Sequence, residues 1–255
     1  MEKISGIVTC FNRMEEIASC LDSVSWVDEL VVIDSFSTDG TAEVGRAKAD
    51  VFLQHEYVSA AAQRNWAMER TSHDWTLIID SDEVMPPELA EEIRAEMEHP
   101  GFARYRVRRR GIFLGREMKH GGWASDTNNI LFRKSNYRFN DDEVHPRLIP
   151  DGPAGLFSHR LDHYTHRSID EFTRKSNKYA TWAARKMQRQ GKQGHPAKIL
   201  LHPLYNFFKV YLLRGGFLDG ARGLISAVLS SAYVAEKYAK LWELDRLPRE
   251  REEQS

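Results

Sequence analysis

Apolar positions along this chain fall into two rhythms. Short continuous runs, Ile4 to Cys10, Glu29 to Asp34, Val51 to Gln54 and Trp75 to Asp80, predict buried strands. Between them Ile17, Cys20, Leu21 and Val24 recur at helical spacing, and helices are predicted over Met14 to Ser23, Ala42 to Lys48 and Ala60 to Glu69. Strands that alternate with helices need crossover connections, so the pattern predicts an α/β class: a mostly parallel, Rossmann-like sheet with helices on both faces. Pro86-Pro87 opens a further helix, Glu88 to Glu98, and Pro100-Gly101 closes it. Phe102 to Leu114 and Asn129 to Arg133 predict two later strands joined through Gly121-Gly122-Trp123. From Ser168 onward the pattern is helical only, to about Gln190, then Ala197 to Leu213 and Asp219 to Leu244. The expected organisation is a sheet domain over 1–167 and a helical C-terminal extension over 168–255.

Composition narrows this picture. With 255 residues, 42% hydrophobic and 29% charged, the chain is that of an ordinary compact protein. The net charge of -1 hides a segregation: Asp80 to Glu98 is strongly acidic and Arg104 to Arg138 strongly basic. These are either two solvated faces or a cation site beside a surface for phosphorylated ligands. Balanced charge and the absence of a recognised motif exclude a nucleic-acid partner. Cys10 and Cys20 have neither metal-ligand nor disulfide spacing, which suits a reducing cytoplasm. Met1-Glu2-Lys3-Ile4 leads directly into a strand pattern, so no secretory leader is expected.

Ligands of an open parallel sheet bind beyond the carboxyl ends of its strands. Thr9-Cys10-Phe11-Asn12, the segment Asp34 to Thr41, and Asp80-Ser81-Asp82-Glu83 all fall at such ends. Thr38, Asp39 and Thr41 read as turn and cap residues. Asp80 and Asp82, two carboxylates one residue apart after an apolar strand, can hold Mg²⁺ or Mn²⁺ and leave coordination positions for a diphosphate.

The chain resembles the family 2 glycosyltransferases of the GT-A fold. The resemblance rests on Gly6 to Asn12, on Asp28 to Thr41, on Gln63-Arg64-Asn65-Trp66-Ala67 and on Ile79 to Glu83, in the family's order. Within that family it looks most like the lipopolysaccharide-core glucosyltransferases of the WaaE type, through Val144-His145, Leu161 to Thr165, and Gly216 to Gly220 followed by Gly223-Leu224. Pro146 stands where that group has a glutamate.

The resemblance implies an inverting transfer of sugar from a nucleotide-sugar donor, UDP-glucose being one candidate, to a lipopolysaccharide-core or other lipid-linked glycan. It implies that Thr9 and Phe11 border the base, that Asp34 takes a base or ribose hydrogen bond, and that Asp80 and Asp82 bind metal with His163 completing the sphere. The bland alternatives are that Phe11 is core and Asp34 caps a turn. Arg64, opening a helix at the same edge, suits the donor diphosphate or else an ordinary ion pair. The transfer needs a base away from the metal pair. Glu143 is the candidate, and with Asp141 and Asp142 it could equally form a solvated loop.

In the tail, Ile199 to Leu213 is apolar with Lys198, Lys209 and Arg214 around it, yet short of the roughly 20 apolar residues that span a bilayer. It either lies on an anionic membrane, which would make the chain cytoplasmic and peripheral at the inner face, or packs within the protein or on a second subunit. Two other functions compete: a nucleotidyltransferase of similar sheet, and a non-catalytic sugar-binding or assembly module. The first should carry a Gly-rich phosphate loop where this chain has Phe11 to Glu16, and the second should lack the paired aspartates.

Overall fold

The computed structural model describes residues 2–123, 126–140 and 147–247. The chain divides into two compact units, Met1–Gly111 with Ser125–Thr165, and Ile112–Ala124 with His166–Ser255. Strands β1 (Ile4–Cys10), β2 (Glu29–Asp34), β3 (Val51–Gln54) and β4 (Trp75–Asp80) alternate with helices α1 (Ile17–Val24), α2 (Thr41–Lys48) and α3 (Ala60–Met68). A short strand β5 (Glu83–Val84) precedes helix α4 (Pro87–Glu96). The later strands are β6 (Arg104–Phe113), β7 (Arg116–Glu117), β8 (Thr127–Arg133), β9 (Arg138–Phe139), β10 (Leu148–Ile149) and β11 (Gly155–His166).

The main sheet runs β3-β2-β1-β4-β8-β6-β11-β5. Its first four strands are parallel, as the crossover helices require, and from β4 to β8 the direction becomes antiparallel. Both expected features, the α/β class and the helical C-terminal extension, are present. The parallel strands read as continuous apolar runs because both faces are covered. Val8, Leu30, Val32, Leu77 and Ile79 point toward α1 and α4, joining Ile17, Leu21, Leu89 and Ile93 in one core. Their neighbours Ile7, Val31, Ile33 and Ile78 point the other way, onto Ala61, Ala67 and Met68 of α3. Alternate side chains thus serve two helical layers.

Beyond the expected strands the structure adds β5, β7, β9, β10 and β11, and two of these, β11 and β5, bear on the site. The twelve-residue strand β11, GLFSHRLDHYTH, buries Phe157 and Leu161 but leaves His159 exposed, so its period-two signal is broken in the middle. The two-residue β5 is too short to show a period at all.

The second unit contains helices α5 (Ile169–Arg189), α6 (Pro196–Phe208) and α7 (Gly220–Arg246), with a π-helical segment Lys209–Leu213 and a 3₁₀ turn Gly216–Asp219 before α7. Ser168 caps α5 by accepting the Glu171 N–H at 3.1 Å. These helices meet through small and polar side chains. Ala180 and Ala184 of α5 and Gly223, Ser226, Ala227 and Ser231 of α7 are buried, and Asn206 of α6 donates to the hydroxyls of Ser230 and Ser231, at 3.2 Å each. A Cβ on Gly223 would fall on the Gly216 carbonyl oxygen, well inside van der Waals contact. Gly223→Ala is therefore expected to destabilise the chain by about 3 kcal/mol in urea unfolding. Gly152→Ala, whose Cβ would meet nothing within 4 Å, should stay within about 0.5 kcal/mol.

Candidate active site

The strand order reverses at β1, which has β2 on one side and β4 on the other, and there the loops of an open sheet part to form a crevice. Parallel register sets Thr9 beside Asp80 and Cys10 beside Asp34 at this edge. The loops after β1 and β2 are tied together: the Asn12 N–H donates to Ser37 Oγ at 2.9 Å and the Thr38 N–H to Asn12 Oδ1 at 2.9 Å. Asp39 accepts the N–H groups of Met14 and Thr41 at 3.2 and 3.1 Å, which is the turn role expected for it. Asn12 and Phe36 hold left-handed φ of 50° and 62°, a conformation that costs a non-glycine residue about 1 kcal/mol or more. The strain leaves Phe11 and Phe36 projecting into solvent, 55% and 56% exposed.

Asp34, the residue expected to take a base or ribose hydrogen bond, is fully buried, accepting the Ser37 N–H at 2.9 Å and Gln54 Nε2 at 3.0 Å, and so it shapes the loop beneath Phe36. Cys10 and Cys20 are buried thiols raised to about 12 and well above the ordinary value, chiefly by burial and then by neighbouring carboxylates, so neither is a nucleophile.

Beyond β4, Asp80, Asp82 and Glu83 crowd four consecutive positions. Asp80 Oδ1 meets Arg64 Nη2 of α3 at 2.6 Å. Burial alone would raise the Asp80 carboxyl, but Arg64, Arg109 and His163 outweigh it and hold it below the usual range. Glu83 is 1% exposed; it accepts the Asp80 N–H at 2.9 Å and Arg109 Nη1 at 3.1 Å. Burial and then the Asp80 charge push its carboxyl up to about 8. The antiparallel pairing of β11 with β5 sets His163 opposite Glu83, and its Nε2 stands 3.6 Å from Asp82 Oδ1. Arg13 Nη2 reaches the other Asp82 oxygen at 3.7 Å. Burial lowers the His163 pKa against the pull of Asp82, favouring the neutral imidazole that binds metals.

These residues suit a divalent cation. Ligands at about 2.1 Å from one ion in adjacent positions are about 3 Å apart, so Asp82 Oδ1 and His163 Nε2, 3.6 Å apart, need close by about 0.6 Å. The buried His163 Nδ1 has no hydrogen-bond partner among the described residues. No three such side chains converge as a preformed cage among the described residues, and Mg²⁺ is commonly held by one or two carboxylates together with substrate phosphates.

The structure therefore brings Thr9, Arg64, Asp80, Asp82 and His163 to one edge, with Phe11 projecting beside it and Asp34 beneath. Glu143, with Asp141, Asp142 and Val144 to Pro146, lies outside the described residues. Sequence reasoning missed Arg13, Arg109 and Asp126. Arg109 on β6 spans Glu83 and Asp126, the latter 2.8 Å from its Nε and 2.7 Å from its Nη2, while Arg110 grips both oxygens of Asp162 at 2.5 and 2.7 Å. The basic run was visible, but a register irregularity between Tyr105 and Arg106 hides which arginines turn inward.

The model of glycosyl transferase family 2 matches residues 5–157. The lipopolysaccharide core biosynthesis glycosyltransferase LpsC of Rhizobium meliloti (strain 1021) is 28% identical over 250 residues, covering 94% of this chain and 92% of the relative. An uncharacterized glycosyltransferase of Rickettsia felis is 25% identical over 258 residues, covering 95% and 90%. Among solved structures, S. aureus TarS 1-349 in complex with UDP is similar over 98% of this chain and 93% of that one, at 14% identity and a TM-score of 0.48. Glucosyl-3-phosphoglycerate synthase from Mycobacterium tuberculosis is similar over 43% and 44%, at 25% identity and a TM-score of 0.37.

Arg64 and Asp80 should be energetically coupled. In a double-mutant cycle of Arg64→Ala and Asp80→Asn, urea unfolding is expected to give a coupling of about 1–3 kcal/mol, against additivity within about 0.5 kcal/mol for independent sites.

Proposed function

Since this chain belongs to glycosyl transferase family 2, we propose that its reaction moves a hexose from a nucleoside-diphosphate sugar, a UDP-sugar being favoured and UDP-glucose one candidate, to a lipopolysaccharide-core or other lipid-linked glycan. The observation that carries this reading is the Asp80–Asp82 turn at the point where the sheet reverses, with Arg64 on one carboxylate and His163 beside the other. The acceptor class is supported by the Rhizobium meliloti relative, a lipopolysaccharide core biosynthesis glycosyltransferase. Family membership sets the nucleotidyltransferase alternative aside, and the paired aspartates speak against a non-catalytic module.

In this reading Phe11 and Phe36 flank the nucleobase, because two exposed rings held by strained backbone offer stacking faces at the crevice. Thr9 borders the same pocket, and Asp34 keeps the Phe36 loop in place. Asp82, His163 and Asp80 are the residues that would hold Mg²⁺ or Mn²⁺. Bound there, the ion supplies Lewis-acid charge that stabilises the departing diphosphate. Arg64 turns its guanidinium from Asp80 toward a phosphate oxygen, a planar match for either partner. Glu83 fixes the turn through the Asp80 N–H and Arg109. The acceptor hydroxyl attacks the anomeric carbon as the bond to the diphosphate breaks, and Glu143 remains the proposed acceptor of its proton. Residues 1–167 then form the catalytic domain, and the extension 168–255 brings it to the cytoplasmic face of the membrane as a peripheral protein.

The test is a panel of nucleotide sugars supplied with Mn²⁺ or Mg²⁺, read by release of nucleoside diphosphate. UDP-glucose should be turned over, and Asp82→Ala should lower the rate about 100-fold or more while leaving the circular dichroism spectrum unchanged. A fully active Asp82→Ala chain, or activity unaffected by EDTA, would contradict the proposal.

A further inference from the structure

Helix α6 is inside out for a water-facing helix. Its polar Asn206 turns inward to Ser230 and Ser231, and none of its residues is buried. The exposed positions Leu201, Leu204, Tyr205, Phe208 and Leu212 recur at three- and four-residue steps and form one apolar stripe. The stripe runs into the turn that follows, where Leu213 is 77% and Leu218 61% exposed and Phe217 projects beside them. Exposed apolar surface of this continuity marks a docking face rather than a solvated one.

Charge indicates what covers it. From Gly194 to Ala235 there are four basic residues, Lys198, Lys209, Arg214 and Arg222, and one acid, Asp219. That acid is withdrawn: its carboxylate accepts His120 Nδ1 at 3.0 Å, the His120 N–H at 2.9 Å and the Lys119 N–H at 3.2 Å. Lys209 lies over the Tyr205 ring, and the Arg214 guanidinium lies across Gly122, where a Cβ would stand 2.7 Å from Nη1. Two copies meeting through this face would set like charges together with no free acid to receive them. No helix among the described residues is long and apolar enough to cross a membrane, so the stripe is suited to lying in an interface.

We propose that Leu213, Phe217 and Leu218 enter one leaflet of an anionic phospholipid bilayer, that Lys209 and Arg214 take the headgroup phosphates, and that the α6 stripe lies along the interface. This rests on the membrane-face reading of the transferase and gives it a specific contact. Asp219, the one acid between Gly194 and Ala235, is held by His120 and so kept away from the headgroups.

Flotation with phosphatidylcholine vesicles, with and without phosphatidylglycerol, tests it on the full chain. The parent should float with the anionic vesicles at low salt and sink at high salt. Arg214→Ala should lower partitioning about fivefold, the effect of one basic group at an anionic surface. Leu213→Ser with Phe217→Ser should lower it by more than about tenfold. Both side chains are exposed, so circular dichroism and release of nucleoside diphosphate from donor sugar should match the parent. A parent that stays down with anionic vesicles, equal flotation with neutral ones, or a double variant that floats undiminished overturns the proposal. A parent dimer that the double variant dissolves into monomers overturns it in favour of a second copy. Flotation by a parent that releases no nucleotide supports the lipid contact and counts against the transferase reading alone.

Discussion

Three carboxyl groups on four consecutive residues cannot all ionise freely, and this chain places them at the end of a buried strand, where the Glu83 carboxyl is pushed up to about 8. Two like charges about 4 Å apart cost about 4 kcal/mol at a protein surface and more as water is removed. The opposing charge arrives from three separate parts of the chain. Arg64 comes from α3, Arg109 from β6 and Arg13 from the loop after β1, while the neutral imidazole of His163 is brought beside Asp82 by β11. Each of these must be in register for the turn to be tolerable, so the site and the sheet order are two aspects of one constraint. In the proposed reaction a divalent cation and a diphosphate would add the remaining compensation, the ion offsetting the aspartates and Arg64 being shared with the phosphates.

The parallel half of the sheet was legible because strands covered on both faces are continuous apolar runs, and Ile4 to Cys10 or Trp75 to Asp80 admit no other reading. The antiparallel half was not. β11 exposes His159 in mid-strand, and β5 has two residues, so the pairing that delivers His163 to Asp82 had no local signal. The site divides in the same way. Carboxylates at strand ends are visible by position, whereas Arg109 becomes a site residue only through a partner 26 residues away in sequence. Asp34 shows the opposite case, a conspicuous polar residue that the structure spends on a loop.

The helical unit poses a different problem. Its composition announced an apolar segment, but composition does not say which side of a helix faces inward. Only the Asn206 hydrogen bonds to Ser230 and Ser231 show that the polar side is the inner one. Gly223 lets the start of α7 pack on Gly216 of the preceding turn, and Gly216 in turn lies against the backbone of Val210. A lipid-carried acceptor, as proposed, would give such a surface a purpose, because the enzyme would then meet its substrate at an interface.

The central claim is that Asp82 and His163 share a cation with the donor diphosphate. Calorimetric titration of uridine diphosphate into the chain, with and without Mn²⁺, and into His163→Ala, measures this directly. Tight binding that requires Mn²⁺ and weakens at least about tenfold in His163→Ala is the expected result, in line with the loss of a metal-site partner. Equal affinity with and without Mn²⁺, unchanged by the substitution, would contradict it.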